Sequence, residues 1–184
     1  IMFGEYGVDA FELSVLLSIW AGITIVTEVP SGALADRFSR KWLIVASGLV
    51  KSTAFITWLL WPQFWGFALG FVLWGAGSTL RSGAWEALLY DLLKAADKEF
   101  EFTRLYGRMA ALSTTGVAVG NLAGGLLIVH GFDWVLAASA VVPTLAALPF
   151  AVLVKDAPRA ARVREPGYLQ TLQRGVIAAV NDRQ

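Results

Sequence analysis

The stretch GALADRFSRK, residues 32–41, decides how the chain is read. It gathers Asp36, Arg37, Arg40 and Lys41 between two long apolar runs, 14–34 and 42–60. A bilayer core is about 30 Å thick, and at about 1.5 Å per residue a spanning helix needs about 20 mostly apolar residues. Both runs reach that length, so the decapeptide is a tight turn joining two antiparallel spans. In it Gly32 allows close helix contact, Asp36 sets a carboxylate at a helix terminus, and Arg37, Arg40 and Lys41 anchor the turn on one side of a membrane.

Outward from this turn, three further stretches of spanning length follow at 64–89, 107–129 and 134–154. The reading is therefore an all-α integral membrane bundle with five complete transmembrane helices over 14–154. Composition agrees: of 184 residues, 57% are hydrophobic and 16% charged, with a mean hydropathy of +0.61. Soluble domains carry about a quarter charged residues, so too little polar surface is present for a water-soluble enzyme of this size. Helices of a soluble bundle also show a charged face at the 3.6-residue period, whereas these stretches are apolar nearly all round. Eight Trp and 11 Phe exclude a disordered chain. With no Cys and a single histidine, His130, neither a thiolate site nor a histidine metal cluster is expected. A net charge of +1 gives no sign of a nucleic-acid partner, and no cofactor is expected.

The basic residues alternate by loop. None lies in 1–14, three in 36–41, none in 61–66, four in 91–108, none in 130–133 and six from 155 onward. Lys and Arg are retained on the cytoplasmic side, so the amino-terminal segment is expected outside and the carboxyl-terminal segment inside. Trp61, Phe64 and Trp65 cluster at one exterior boundary as an interfacial belt. Residues 1–13 read as the end of a first helix whose start is absent, followed by an exterior loop. Residues 155–184 read as a cytoplasmic central loop, where Leu169, Leu172 and Val176 share one face of an amphipathic surface helix.

Residues 32–41 resemble the signature loop of the major facilitator superfamily of secondary transporters, with Ser39 where that family usually has Gly. A second match, GVAVGNLAGG at 116–125, is similar to the family's antiporter signature, with Asn121 in place of Pro. Gly116, Gly120 and Gly124, with Gly125 beside them, form a small-residue stripe suited to close helix packing. The third, LRSGAWEALLYDLL at 80–93, resembles the helix on which the family carries a buried arginine, here Arg81, and looks like a bacterial drug-efflux branch. The resemblance implies the amino-terminal six-helix half of such a carrier, lacking most of its first helix. It also implies that Asp91 pairs with Arg37 or Arg40 as a conformational lock.

Charges inside the apolar stretches are costly, at least about 2.5 to 3.5 kcal/mol each at the bilayer centre, and so face a cavity or a partner. Counting residues from the basic turns puts Glu28 about 12 Å deep and Lys51 and Arg81 about 15 Å deep. That shared level suggests a cluster in which Glu28 neutralises Lys51 or Arg81, the carboxylate then being open to proton coupling. Glu86 sits shallower. Trp58, Trp74, Trp85 and Phe71 are candidate cavity aromatics, with lipid contact as their alternative.

The resemblance thus implies a proton-coupled exporter of small organic molecules in the inner membrane, working by alternating access with a carboxyl-terminal half. A nutrient importer of the same fold, and a membrane scaffold or sensor without transport, are the alternatives. No nucleophile with a base suggests an enzyme.

Overall fold

The computed structural model describes residues 2–154; the expected amphipathic segment at 155–184 lies outside the described residues. A short helix α1 (Met2–Glu5) turns through Gly7, at φ +77°, into α2 (Ala10–Arg37). Helices α3 (Arg40–Leu60), α4 (Phe64–Lys94), α5 (Phe102–Leu127) and α6 (Phe132–Leu153) follow, and no strand occurs among the described residues. Single 3-10 turns, Glu99–Glu101 and Ile128–His130, flank α5.

Each helix begins and ends for local reasons. At the start of α2, Asp9 Oδ1 accepts from the Glu12 amide at 2.7 Å while Glu12 Oε2 accepts from the Asp9 amide at 3.1 Å, a reciprocal capping box. Two residues separate α2 from α3. The Phe38 amide closes α2 on the Leu34 carbonyl, and Ser39 caps α3 by accepting from the Trp42 amide at 3.3 Å. Ser39 has φ −61°, so this turn needs no left-handed residue; a serine serves where the family pattern has glycine. At the far end of α4, Asp97 takes the left-handed conformation, φ 55°. The Lys98 amide reaches back to the Leu93 carbonyl at 2.9 Å and the Asp97 amide to that of Lys94 at 3.1 Å, the bonding of a Schellman stop. The charged run 91–108 is thereby mostly helical, and the true connection is brief.

Four helical segments are long and apolar enough to cross a membrane: α2, α3, α6 and the continuous run Glu99–His130 that contains α5. Stretch length alone gives five. The difference is α4, which is 31 residues long but has its first half diluted by Gly and Trp and its second charged by Arg81, Glu86, Asp91 and Lys94. It is also the helix with the most buried positions, packed against both α2 and α3, while α6 packs on α3. The bundle thus packs two helices around a third whose second half carries four charged side chains.

Its densest packing is aromatic. Trp58, Phe67, Phe71, Leu16 and Leu136 form a buried cluster, and the Trp58 indole donates to the Phe67 carbonyl at 3.1 Å. Gly70 makes this possible, since a Cβ there would lie 1.9 Å from Trp58 Nε1. Trp20 stacks on Trp74 beside the cluster. Helix α5 is the opposite case: none of its residues is buried, and it meets α4 and α6 only sparsely.

Candidate functional site

Two features lie along α4. At its basic end, Arg40 at the start of α3 forms an ion pair with Asp91 and donates a second hydrogen bond to the Ala87 carbonyl at 3.0 Å. Asp91 sits unfavourably near the carboxyl end of its helix dipole, and Arg40 near the amino end of its own; pairing offsets both. Of the two arginines the resemblance offered, Arg40 makes this pair. Asp36 and Arg37 lie exposed in the last turn of α2.

Close helix approach at this level is made by Gly83 rather than by Gly32. A Cβ on Gly83 would sit 3.4 Å from the Gly32 nitrogen and the Ser31 hydroxyl, whereas one on Gly32 would point into open space. The expectation for Gly32 is corrected accordingly: its backbone is approached, but its missing side chain is not what permits the contact. Gly116, Gly120, Gly124 and Gly125 likewise meet nothing within 4 Å. The stripe on α5 therefore packs against no described residue.

Further along, α2 and α4 share a polar seam. The Thr27 and Thr79 hydroxyls are 2.9 Å apart, and the Ser82 hydroxyl lies 3.5 Å from Glu28 Oε1. The expected cluster of Glu28 with Lys51 or Arg81 does not form, because equal depth is not equal azimuth. Glu28 meets α4 from the α2 side, while the Lys51 stem packs from α3 against Gly77, where a Cβ would come within 3.0 Å of it. Lys51 instead lies close enough to Arg81 for the two charges to repel.

Between α4 and α5 opens a half-enclosed cavity of about 410 Å³, within the usual size of small-molecule sites. Arg81, Ser82, Trp85 and Glu86 line it from α4, Tyr106 and Met109 from α5. Tyr106 donates to Glu86 Oε1 at 2.7 Å, a polar link across the cavity. Arg81 makes no hydrogen bond or ion pair among the described residues. Of the four candidate aromatics, Trp85 alone reaches the cavity, where its ring also meets Phe150 of α6. Trp58, Phe71 and Trp74 belong to the aromatic packing instead.

Glu86 is the residue that sequence reasoning passed over. The signal was present: positions 81, 82, 85 and 86 recur at helical spacing and fall on one face of α4. Lone His130 sits in the second 3-10 turn, and among the described residues no group of three His, Cys, Asp or Glu side chains is placed to hold a metal ion.

An aromatic-packed helical bundle with several helices of spanning length, and a half-open cavity beside α4, defines a multi-pass membrane protein. The chain belongs to the Major Facilitator Superfamily, whose family model matches residues 1–176. It is similar to proteins named "Multidrug resistance protein MdtH", with 29% identity over 153 residues to those of Yersinia enterocolitica (serotype O:8 / biotype 1B) and Yersinia pestis (strain Pestoides F). Each alignment covers 83% of this chain and 36% of the relative, so the chain spans about a third of the length of the relatives it matches. No solved structure matches it.

Proposed function

We propose that this chain forms part of a secondary active transporter that exports small organic molecules across the inner membrane, driven by proton uptake. The observation that carries the reading is the half-open cavity beside α4, with Arg81 in its wall, in a chain of this family. Similarity to multidrug resistance proteins favours efflux over nutrient import. The reading takes the amino-terminal segment as exterior and the basic end as cytoplasmic, and it requires a carboxyl-terminal half to complete the cavity.

In this mechanism the Arg40–Asp91 pair, with Asp36 and Arg37 on the adjoining turn of α2, is a lock that holds one access state. Releasing it costs little, since exposed or half-exposed ion pairs contribute at most about 1 kcal/mol, as rapid alternation requires. Glu28, at the edge of the seam, takes up the proton, and Ser82 carries its charge state to the cavity wall beside Arg81.

The test is extrusion of a fluorescent organic compound from energised cells expressing the chain together with the carboxyl-terminal half that completes the cavity, with and without a protonophore. Extrusion that stops with the protonophore and in Arg81→Gln is expected, while Asp36→Asn slows turnover more than it weakens binding. Glu28→Gln should flatten the pH profile. Extrusion at full rate in Arg81→Gln, or inward net flux, would defeat the reading.

A further inference from the structure

The charges around the cavity are not equally engaged. Glu86 already holds the Tyr106 hydroxyl at 2.7 Å, and Glu28 faces Ser82 from the α2 side rather than the cavity. Arg81 lines the cavity with no hydrogen bond or ion pair among the described residues, and the cation of Lys51 lies close enough to repel it. An uncompensated guanidinium at bilayer depth is unfavourable unless something anionic reaches it. Guanidinium presents paired N–H donors in a planar fork that matches a carboxylate. One turn along α4, at the i+4 position, Trp85 places an aromatic ring beside it, and Met109 across the cavity supplies an adaptable apolar wall.

We propose that the α4–α5 cavity binds an amphiphilic organic anion, its carboxylate on Arg81 and its ring system between Trp85 and Met109. The inference rests on the transport reading for the physiological meaning of that binding, but its charge preference does not depend on flux. Tyr106 serves specificity by taking up one oxygen of Glu86, which leaves that carboxylate charged but with a single oxygen for a ligand.

The experiment compares three probes of one size: 2-naphthoate, the neutral 2-naphthamide and the cationic 2-naphthylmethylamine. Each is equilibrated with the chain in phosphatidylcholine nanodiscs, with empty nanodiscs subtracted for partition into lipid. Naphthoate should bind most tightly, and Arg81→Gln should weaken it about tenfold, the loss of one charge-assisted bidentate contact. Arg81→Lys, which preserves the charge and guards against misfolding, should retain binding of intermediate strength. Equal or tighter binding of the amine, naphthoate binding indifferent to Arg81→Gln, or no binding above empty nanodiscs would each overturn the proposal. So would displacement of naphthoate by added phosphatidylglycerol at comparable strength, which would assign the guanidinium to a lipid headgroup. Naphthoate binding through Arg81 with no export even when the carboxyl-terminal half is supplied would leave this inference standing and remove the transport reading.

Discussion

Helices α4 and α5 carry the same sequence device and put it to opposite uses. Both are threaded with glycine at close spacing. On α4, Gly66, Gly70, Gly75, Gly77 and Gly83 each press against a neighbour, from Trp61 and Trp58 at one end to the backbone of Ser31 and Gly32 at the other. On α5, Gly107, Gly116, Gly120, Gly124 and Gly125 face open space. Glycine spacing therefore marks a helix that permits close approach; it does not say whether an approach is made. Partner placement decides that, and it comes from the rest of the bundle.

The sharpest way to break this contrast is a pair of methyl groups. Gly70→Ala should destabilise the chain in detergent by about 2 to 3 kcal/mol, because the new Cβ collides with a buried indole that has no room to retreat. Gly120→Ala on α5 should leave stability unchanged or raise it by up to about 1 kcal/mol through helix propensity alone. Both are read from chemical or thermal unfolding. A penalty at Gly120 as large as that at Gly70 would mean that the α5 stripe is tightly packed after all.

Smaller effects separate the ends of the same helices. The Arg40–Asp91 pair joins the basic ends of α3 and α4, and a double-mutant cycle with Arg40→Ala and Asp91→Asn should give a coupling of about 1 kcal/mol. A coupling near zero would leave the ion pair without a holding role. Asp97→Gly, at the left-handed stop of α4, should stabilise by about 0.5 kcal/mol in the same unfolding assay, since glycine adopts that conformation without a Cβ penalty.

The smallest expected effect is a titration. Tyr6 donates to Asp133 Oδ1 at 3.1 Å, fastening the turn after α1 to the start of α6. Burial, and then the Asp133 hydrogen bond and charge, hold the Tyr6 phenol above its usual pKa of 10.0. A raised folded-state pKa means that this contribution is fully present below pH 10.0 and is lost as pH climbs through the higher folded value. Asp133→Asn should move the Tyr6 ultraviolet titration back toward 10.0; an unmoved midpoint would leave burial and the Glu5 charge as its causes.

Much of the fold was legible because lipid imposes a coarse code. Long apolar runs, short basic turns and the 32–41 signature read directly as antiparallel spans, and the Asp91 partner was already narrowed to two arginines. Rotation about the helix axes was not legible. Depth follows from counting residues, which sets Glu28, Lys51 and Arg81 at one level, but the count does not say what covers them: Glu28 and Arg81 are exposed and Lys51 is half-buried. Azimuth depends on which neighbour each helix packs against, so Glu28 faces α2's seam, Lys51 sits behind Gly77, and Glu86 joins Arg81 in the cavity. Trp85 and Trp58 illustrate the same point. They are alike in type and hydropathy, yet one lines the cavity and the other fills the core.

The most direct measurement is a thiol-accessibility scan of α4 in lipid, made simple because the sequence contains no cysteine. Single cysteines at Ser82, Trp85 and Glu86 should react readily with a membrane-impermeant maleimide, while those at Phe67, Phe71, Ala84 and Leu88 should stay protected. Uniform protection along the helix, or labelling that follows depth rather than the cavity face, would contradict a water-filled site on one side of α4.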